Sequence, residues 1–154
     1  MGRVAVEKNI EAFLDLPRPG STVIIGDGPD RERLAGRYED CHFLGYRFGR
    51  ELAERLAGSD VFVFPSKTDT FGIVMLEAMA CGLPVAAYPV TGPLDVVRRG
   101  VTGCLDEDLA AACSRALYLN RNDCRQYAES RSWRSSTLQF AANLAPRQLI
   151  AVEA

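Results

Sequence analysis

The stretch SKTDTFGIVMLEAMACG, residues 66–82, decides how the rest of the chain is read. Between Asp69 and Asp95 its Glu77 is the only acidic or basic side chain. The helical neighbours of Glu77 three and four positions away, Ile73, Val74, Ala80 and Cys81, are all apolar. A helix apolar on every side is normally buried, and a carboxylate within it needs hydrogen-bond partners. Two readings follow. Glu77 snorkels out or caps a neighbouring loop, or it waits for the hydroxyls of a ligand. The residues before it favour the ligand. Asp60-Val-Phe-Val-Phe-Pro65 reads as a buried strand ended by proline, and Ser66 to Thr70 as a polar loop. Asp69 or Thr70 then N-caps the helix opened by Phe71-Gly72 and closed by Gly82-Leu-Pro84. A loop from a strand into a helix N-terminus offers free N–H groups and a positive dipole end to an anion. Asp69 and Glu77 would bracket such a site.

These residues resemble the acidic signature of the GT-B glycosyltransferases, specifically the large retaining group called family 4. The signature has two acidic residues with seven between them, Phe-Gly after the first, and Glu-Ala-x-Ala-x-Gly from the second. Here it reads Asp69, Phe71-Gly72 and Glu77-Ala-Met-Ala-Cys-Gly82, followed by Pro84-Val85. Asp69 departs from the Glu usual in the family and shortens the reach by one methylene.

Composition bounds the alternatives. A chain of 154 residues is long enough for one domain with its own core. A net charge of -2 gives no general case for nucleic acid or an anionic membrane. The cysteines Cys41, Cys81, Cys104, Cys113 and Cys124 lack metal-ligand spacing, and their odd number argues against a disulfide framework. No metal or other cofactor is expected. No apolar run reaches membrane-spanning length and Met1-Gly2-Arg3 is not a signal peptide, so a reduced, cytoplasmic compartment is expected.

From the N-terminus, Val4-Ala-Val6 reads as a strand remnant, and Lys8 or Asn9 opens a helix with Ile10, Phe13 and Leu14 inward. Arg3 and Lys8 are two solvated cations or, by the family resemblance, the grip on a diphosphate. Gly2-Arg3, three residues, then Glu7-Lys8-Asn9 resembles the start of the family's nucleotide-binding domain. Ser21 to Ile25 is a strand followed by Gly26-Asp-Gly28-Pro, which allows a tight turn or a close backbone approach and resembles the turn beside the family's nucleotide site. Arg31 to Tyr38 is a surface helix. Cys41 to Leu44 is a strand in which His42 is a packed or surface residue, and the loop Tyr46 to Gly49 lies where the family holds base and ribose. Glu51 to Ser59 reads as a helix with Leu52, Leu56 and Ala57 inward. Pro84 to Ala87 and Thr102 to Leu105 are further strands, and Pro93 starts a helix over Leu94 to Arg99. Glu107 to Leu119, Asn122 to Ser130 and Trp133 to Leu144 read as helices, the last offering Trp133, Phe140 and Leu144 for packing. Arg121, Arg125, Arg131 and Arg134 form a solvated face.

Alternating strands and helices predict an α/β fold with a doubly wound parallel, Rossmann-like sheet and ligands at the carboxyl ends of its strands. The resemblance implies the carboxyl-terminal, donor-binding half of a GT-B enzyme. Residues 1–145 would form that domain with its first strand truncated, and 146–154 a tail. It implies binding of a UDP- or GDP-hexose and, in the complete enzyme, transfer of the hexose with retention to a lipid or polysaccharide acceptor. An amino-terminal domain absent here would present that acceptor, and peripheral membrane association of the complete enzyme stays open. By the resemblance Arg3 and Lys8 hold the diphosphate, Glu77 the ribose hydroxyls, Asp69 with the backbone of Thr70, Phe71 and Gly72 the sugar, and Ile73 belongs to the nucleotide-binding set. Gly26, Gly28 and Tyr46 line the nucleotide. The alternatives are a non-catalytic nucleotide-sugar module, a truncated remnant, and a GT-B-like epimerase, whose kind lacks this signature.

Overall fold

The structure is a computed structural model that describes residues 1–17, 20–131 and 133–144, with Trp133 described in its backbone alone. The tail expected over 146–154 lies outside the described residues. Five parallel strands alternate with helices: α1 (Ile10–Leu14), β1 (Thr22–Ile25), α2 (Arg31–Arg37), β2 (Cys41–Gly45), α3 (Gly49–Ala57), β3 (Phe62–Phe64), α4 (Ile73–Ala80), β4 (Val85–Ala87), α5 (Pro93–Val96), β5 (Gly103–Leu105), α6 (Leu109–Ala116), α7 (Arg121–Ser130) and α8 (Trp133–Ala142). The α/β, doubly wound expectation holds. The strands, however, form two sheets: β1 pairs with β2, and β4 lies between β3 and β5.

The larger core lies around β4, whose Val85, Ala86 and Ala87 have no exposed surface. A strand covered on both faces reads as a continuous apolar run, and this one does. From one side α4 supplies Met75, Ala78 and Met79, all fully buried, and packs closely against α7, where Cys124 and Ala128 close the layer. On the other side Ala112 and Ala116 of α6 meet Ala86. A separate cluster of Val4, Leu14, Ile24, Leu34 and Cys41 serves the β1–β2 sheet, with Ile10 and Phe13 packed on it as the periodicity of α1 predicts.

Helix ends follow local chemistry in some places and long-range contacts in others. Asp108 caps α6 by accepting from the N–H groups of Ala110 and Ala111, and Asn120 caps α7 through Asn122. The carboxyl end of α3 is satisfied at a distance: Arg121 donates to the carbonyls of Ala57 (2.8 Å) and Ser59 (2.6 Å). Arg121 is therefore not a merely solvated member of the arginine cluster.

Several local expectations are corrected. Val4 to Val6 is not a strand. Gly2 and Val4 donate to the carbonyls of Ile25 and Asp27, but the chain then turns into a 3-10 helix over Val6–Lys8, and Val6 is 79% exposed. One partner at one end leaves no ladder to extend. Ala57 is exposed because α3 turns only Leu52 and Leu56 toward the core. Phe140 and Leu144, expected to pack, are exposed, and neither belongs to a core cluster.

Candidate functional site

Two distant parts of the sequence meet at the carboxyl ends of β1 and β3. The 3-10 turn ends at Lys8, whose Nζ lies 2.6 Å from Asp69 Oδ1. Asn9 follows with a left-handed backbone (φ 51°), a conformation that asparagine tolerates better than most side chains, and its Nδ2 donates to the Pro65 carbonyl at 3.0 Å. The hydroxyls of Ser66 and Thr68 both donate to the carbonyl of Glu7. These bonds fasten the N-terminal turn to the loop that leaves β3.

Asp69 is only partly exposed and carries two opposing influences. Burial pushes its pKa up, while the Lys8 ammonium and the Ser66 hydroxyl pull it down, and the net position is below the ordinary 3.8. Its second oxygen, Oδ2, is buried without a hydrogen-bond partner. A buried carboxylate oxygen in that state is an acceptor available to a ligand donor. Asp69 is not the N-cap of α4, and neither is Thr70. Gly72 occupies that position with φ 74°, so the first N–H groups of α4 receive no side-chain cap. A Cβ on Gly72 would stand 2.8 Å from Met75 Cε and 3.0 Å from the Phe64 ring. Gly92 fixes the same loop from outside, because a Cβ there would lie 2.7 Å from the Asp69 carbonyl oxygen.

Arg3 sits near the same end with its side chain mostly exposed and its guanidinium 3.6 Å from Glu7. Its backbone approach explains the glycine turn. Cβ atoms on Gly26 and Gly28 would fall 1.8 Å from the Gly2 carbonyl oxygen and 2.2 Å from that of Val4. The two glycines thus admit the segment that carries Arg3. A groove of about 1430 Å³ contains Arg3, Lys8, Asp69, Gly72 and Ile73 in its walls, together with strand residues of β1 and β3.

Glu77 is elsewhere, and the expectation of burial fails for it. Met75, Ala78 and Met79 face the core, while Phe71, Ile73, Glu77 and Ala80 are exposed on the opposite side. An apolar circumference does not bury a short helix packed on one side only. Glu77 lines a smaller cavity of about 290 Å³ with Phe71, Ile73, Leu76, Asp95 and Val96. Ile73 borders both spaces, but the two carboxylates line different ones. Tyr46 is exposed beyond the carboxyl end of β2 and stacks on Phe48 with ring centroids 5.9 Å apart. Tyr46, Thr70, Gly26 and Gly28 line neither space. Asn9, Ser66 and Gly92 were missed by the sequence reading. Asn9 was marked in the sequence as a helix start and as part of Glu7-Lys8-Asn9, not for its bond to Pro65; the other two depend on contacts across the fold.

Known proteins resemble this chain in sequence and in fold. The chain is 43% identical over 107 residues to a GDP-mannose-dependent alpha-mannosyltransferase of Mycobacterium tuberculosis, an alignment that covers 68% of this chain and 28% of that protein. The chain therefore spans well under half the length of that relative. Its fold matches the lipopolysaccharide outer core galactosyltransferase WaaB with a TM-score of 0.75 at 18% identity, over 91% of this chain and 46% of that one. It matches Anabaena HepE in complex with UDP and glucose with a TM-score of 0.69 at 22% identity, over 92% and 46% of the two chains. Likeness at such identities shows the shared fold, one Rossmann-like half of a GT-B glycosyltransferase. Residues 2–120 match the family described as glycosyl transferases group 1, and with the relative of 43% identity this shows that the chain belongs to that family.

Proposed function

We propose that the chain binds a nucleotide diphospho-sugar at the carboxyl ends of β1 and β3 and serves as the donor half of a retaining family 4 hexosyltransferase. The observation that carries this reading is the meeting of Lys8 with Asp69, whose second carboxylate oxygen is buried and unpartnered. Lys8 and Arg3 supply cations for the diphosphate, and Arg3, whose exposed pair with Glu7 is weak, can turn toward it. The diphosphate competes with Asp69 for the Lys8 ammonium, and Asp69 accepts from a hexose hydroxyl. Glu77, exposed on α4 in the smaller cavity, accepts from the ribose. In the complete enzyme the bond from the anomeric carbon to the β-phosphate oxygen breaks while the acceptor oxygen bonds to that carbon on the same face. The acceptor's proton passes to the leaving phosphate, and the fixed cations stabilise the charge that develops there.

The mannosyltransferase relative makes GDP-mannose the first donor to try, and the UDP-bound neighbour makes UDP-glucose the second. The share of the relative that this chain covers favours a second reading alongside the first: binding without turnover until an acceptor-binding half, for a lipid or polysaccharide, is supplied. Calorimetric titration with UDP, GDP, ADP and their glucose or mannose conjugates tests both. Saturable binding to one base is expected, lost in Arg3→Ala and Lys8→Ala, and weakened by roughly 1–3 kcal/mol in Glu77→Ala. A folded chain that binds none of them overturns the proposal.

A further inference from the structure

We infer, resting on the donor reading above, that the turn between β4 and α5, residues 88–92, positions the hexose half of the donor site. Gly92 sets where Asp69 presents its carboxylate and leaves the grip on the diphosphate untouched. Its backbone has φ 92° and ψ -76°. That lies near the γ-turn region, at about +75° and -65°, which is rare and strained. The next residue is Pro93, which has no N–H to close a hydrogen bond across such a turn. Strain of this kind persists only where the surroundings fix it, and it gathers at ligand sites.

What Gly92 meets is the loop that carries Asp69. A Cβ at position 92 would stand 2.7 Å from the Asp69 carbonyl oxygen and 3.4 Å from that of Phe71. The turn itself is pinned from behind. The Gly92 carbonyl accepts from the N–H groups of Asp95 and Val96 at 3.1 and 3.0 Å, and Pro93 and Val96 are buried. The loop is the softer partner, since Thr70 and Phe71 are exposed. A second contact joins the same two segments: Lys67 Nζ lies 4.3 Å from the centroid of the Tyr88 ring, and Tyr88 is buried just past β4.

Two different parts of the chain therefore hold the two halves of this loop. The first half answers to the N-terminal turn, through Asn9 on the Pro65 carbonyl and the Ser66 and Thr68 hydroxyls on the Glu7 carbonyl. The second half, Asp69 to Phe71, answers to Gly92. Arg3 and Lys8 belong to the N-terminal turn, so a displaced second half leaves these cations in place. It shifts the Asp69 carboxylate from its position 2.6 Å from the Lys8 ammonium, and with it the buried, unpartnered Oδ2 offered to a hexose hydroxyl. Substitution can thus separate recognition of the hexose from recognition of the diphosphate.

The test is calorimetric titration of the unsubstituted chain and of Gly92→Ala with GDP and GDP-mannose, and with UDP and UDP-glucose. Gly92→Ala is expected to weaken the sugar nucleotide that binds by about tenfold or more, and to change its nucleoside diphosphate by less than about twofold. A pH titration of the Asp69 carboxyl by carbon NMR, without nucleotide, is expected to move up toward the ordinary 3.8 in that variant as the Lys8 ammonium is left behind. Equal losses for both ligands, or no loss for either, overturn the inference, and so does an Asp69 titration that stays in place. Should Gly92→Ala not fold, Lys67→Met decides. It loosens the same contact at an exposed residue and is expected to weaken the sugar nucleotide alone, by about two- to fivefold. Equal loss of the diphosphate, or no loss, then overturns the inference. If the unsubstituted chain binds no nucleotide, the donor reading itself has failed, and the Asp69 titration still decides whether Gly92 positions that carboxylate.

Discussion

Asp69 and Glu77 belong to one sequence signature yet meet different surroundings. Asp69 is held at 2.6 Å from Lys8 and its acidity is increased, while Glu77 stands on the exposed side of α4. The difference gives a pH signature. The folded pKa of Asp69 lies below its ordinary 3.8, so its contribution to stability is present above that value and is lost as pH falls through the lowered folded value. Asp69→Asn is therefore expected to lower the denaturation midpoint at pH 7, with the gap from the unsubstituted chain closing as pH drops below 3.8. Denaturant titrations of both chains at pH 7 and in that acid range check this. A constant gap would mean that the Lys8 pair contributes nothing through ionisation. The acidic spacing, the glycine turn and the two cations were legible in the sequence. The Lys8–Asp69 pair was not, because it joins residues 61 positions apart and depends on where the turn comes to rest.

At the scale of elements, α4 shows what a local pattern can and cannot say. Its eight residues run from Ile73 to Ala80, and its end beside Gly82 follows directly from the sequence. Which side it buries was hidden, because one charged residue among apolar ones gives periodicity no contrast. Packing decided it: Met75, Ala78 and Met79 lie between β4 and α7, and Phe71, Ile73 and Glu77 were left facing outward. Met79→Ala removes a fully buried side chain and is expected to cost about 2–5 kcal/mol. Ile73→Ala, at a residue 45% exposed, is expected to cost much less. Chemical denaturation of the two variants ranks them, and a reversed order would contradict this placement of the helix. The strands were located well because β-branched and aromatic runs bounded by Gly and Pro are strong local signals. Val4 to Val6 misled for the converse reason, as an apolar run becomes a strand only where a neighbour continues the ladder.

For the whole molecule, the N-terminal segment is as much a part of the fold as any strand. Val4 is fully buried in the smaller core cluster, and the Met1 side chain packs against the larger one. The Met1 amine is lowered from 8.0 to about 6, so between those values the unfolded chain holds a proton that the folded chain has released. Stability is therefore expected to rise with pH across that window and level off on either side of it. Acetylation of the amine is expected to remove the rise, and thermal unfolding of the free and acetylated chains across the same range measures it. By itself the sequence determined the α/β class, the order and approximate limits of most elements, and the family whose signature runs through residues 66–82. Local propensity and short-range spacing suffice for these. Only the tertiary structure decided which side of α4 faces out, that Lys8 closes on Asp69, and that the sheet is divided at a groove. Each of those outcomes is set by competition for partners among residues far apart in the chain, which no local window contains.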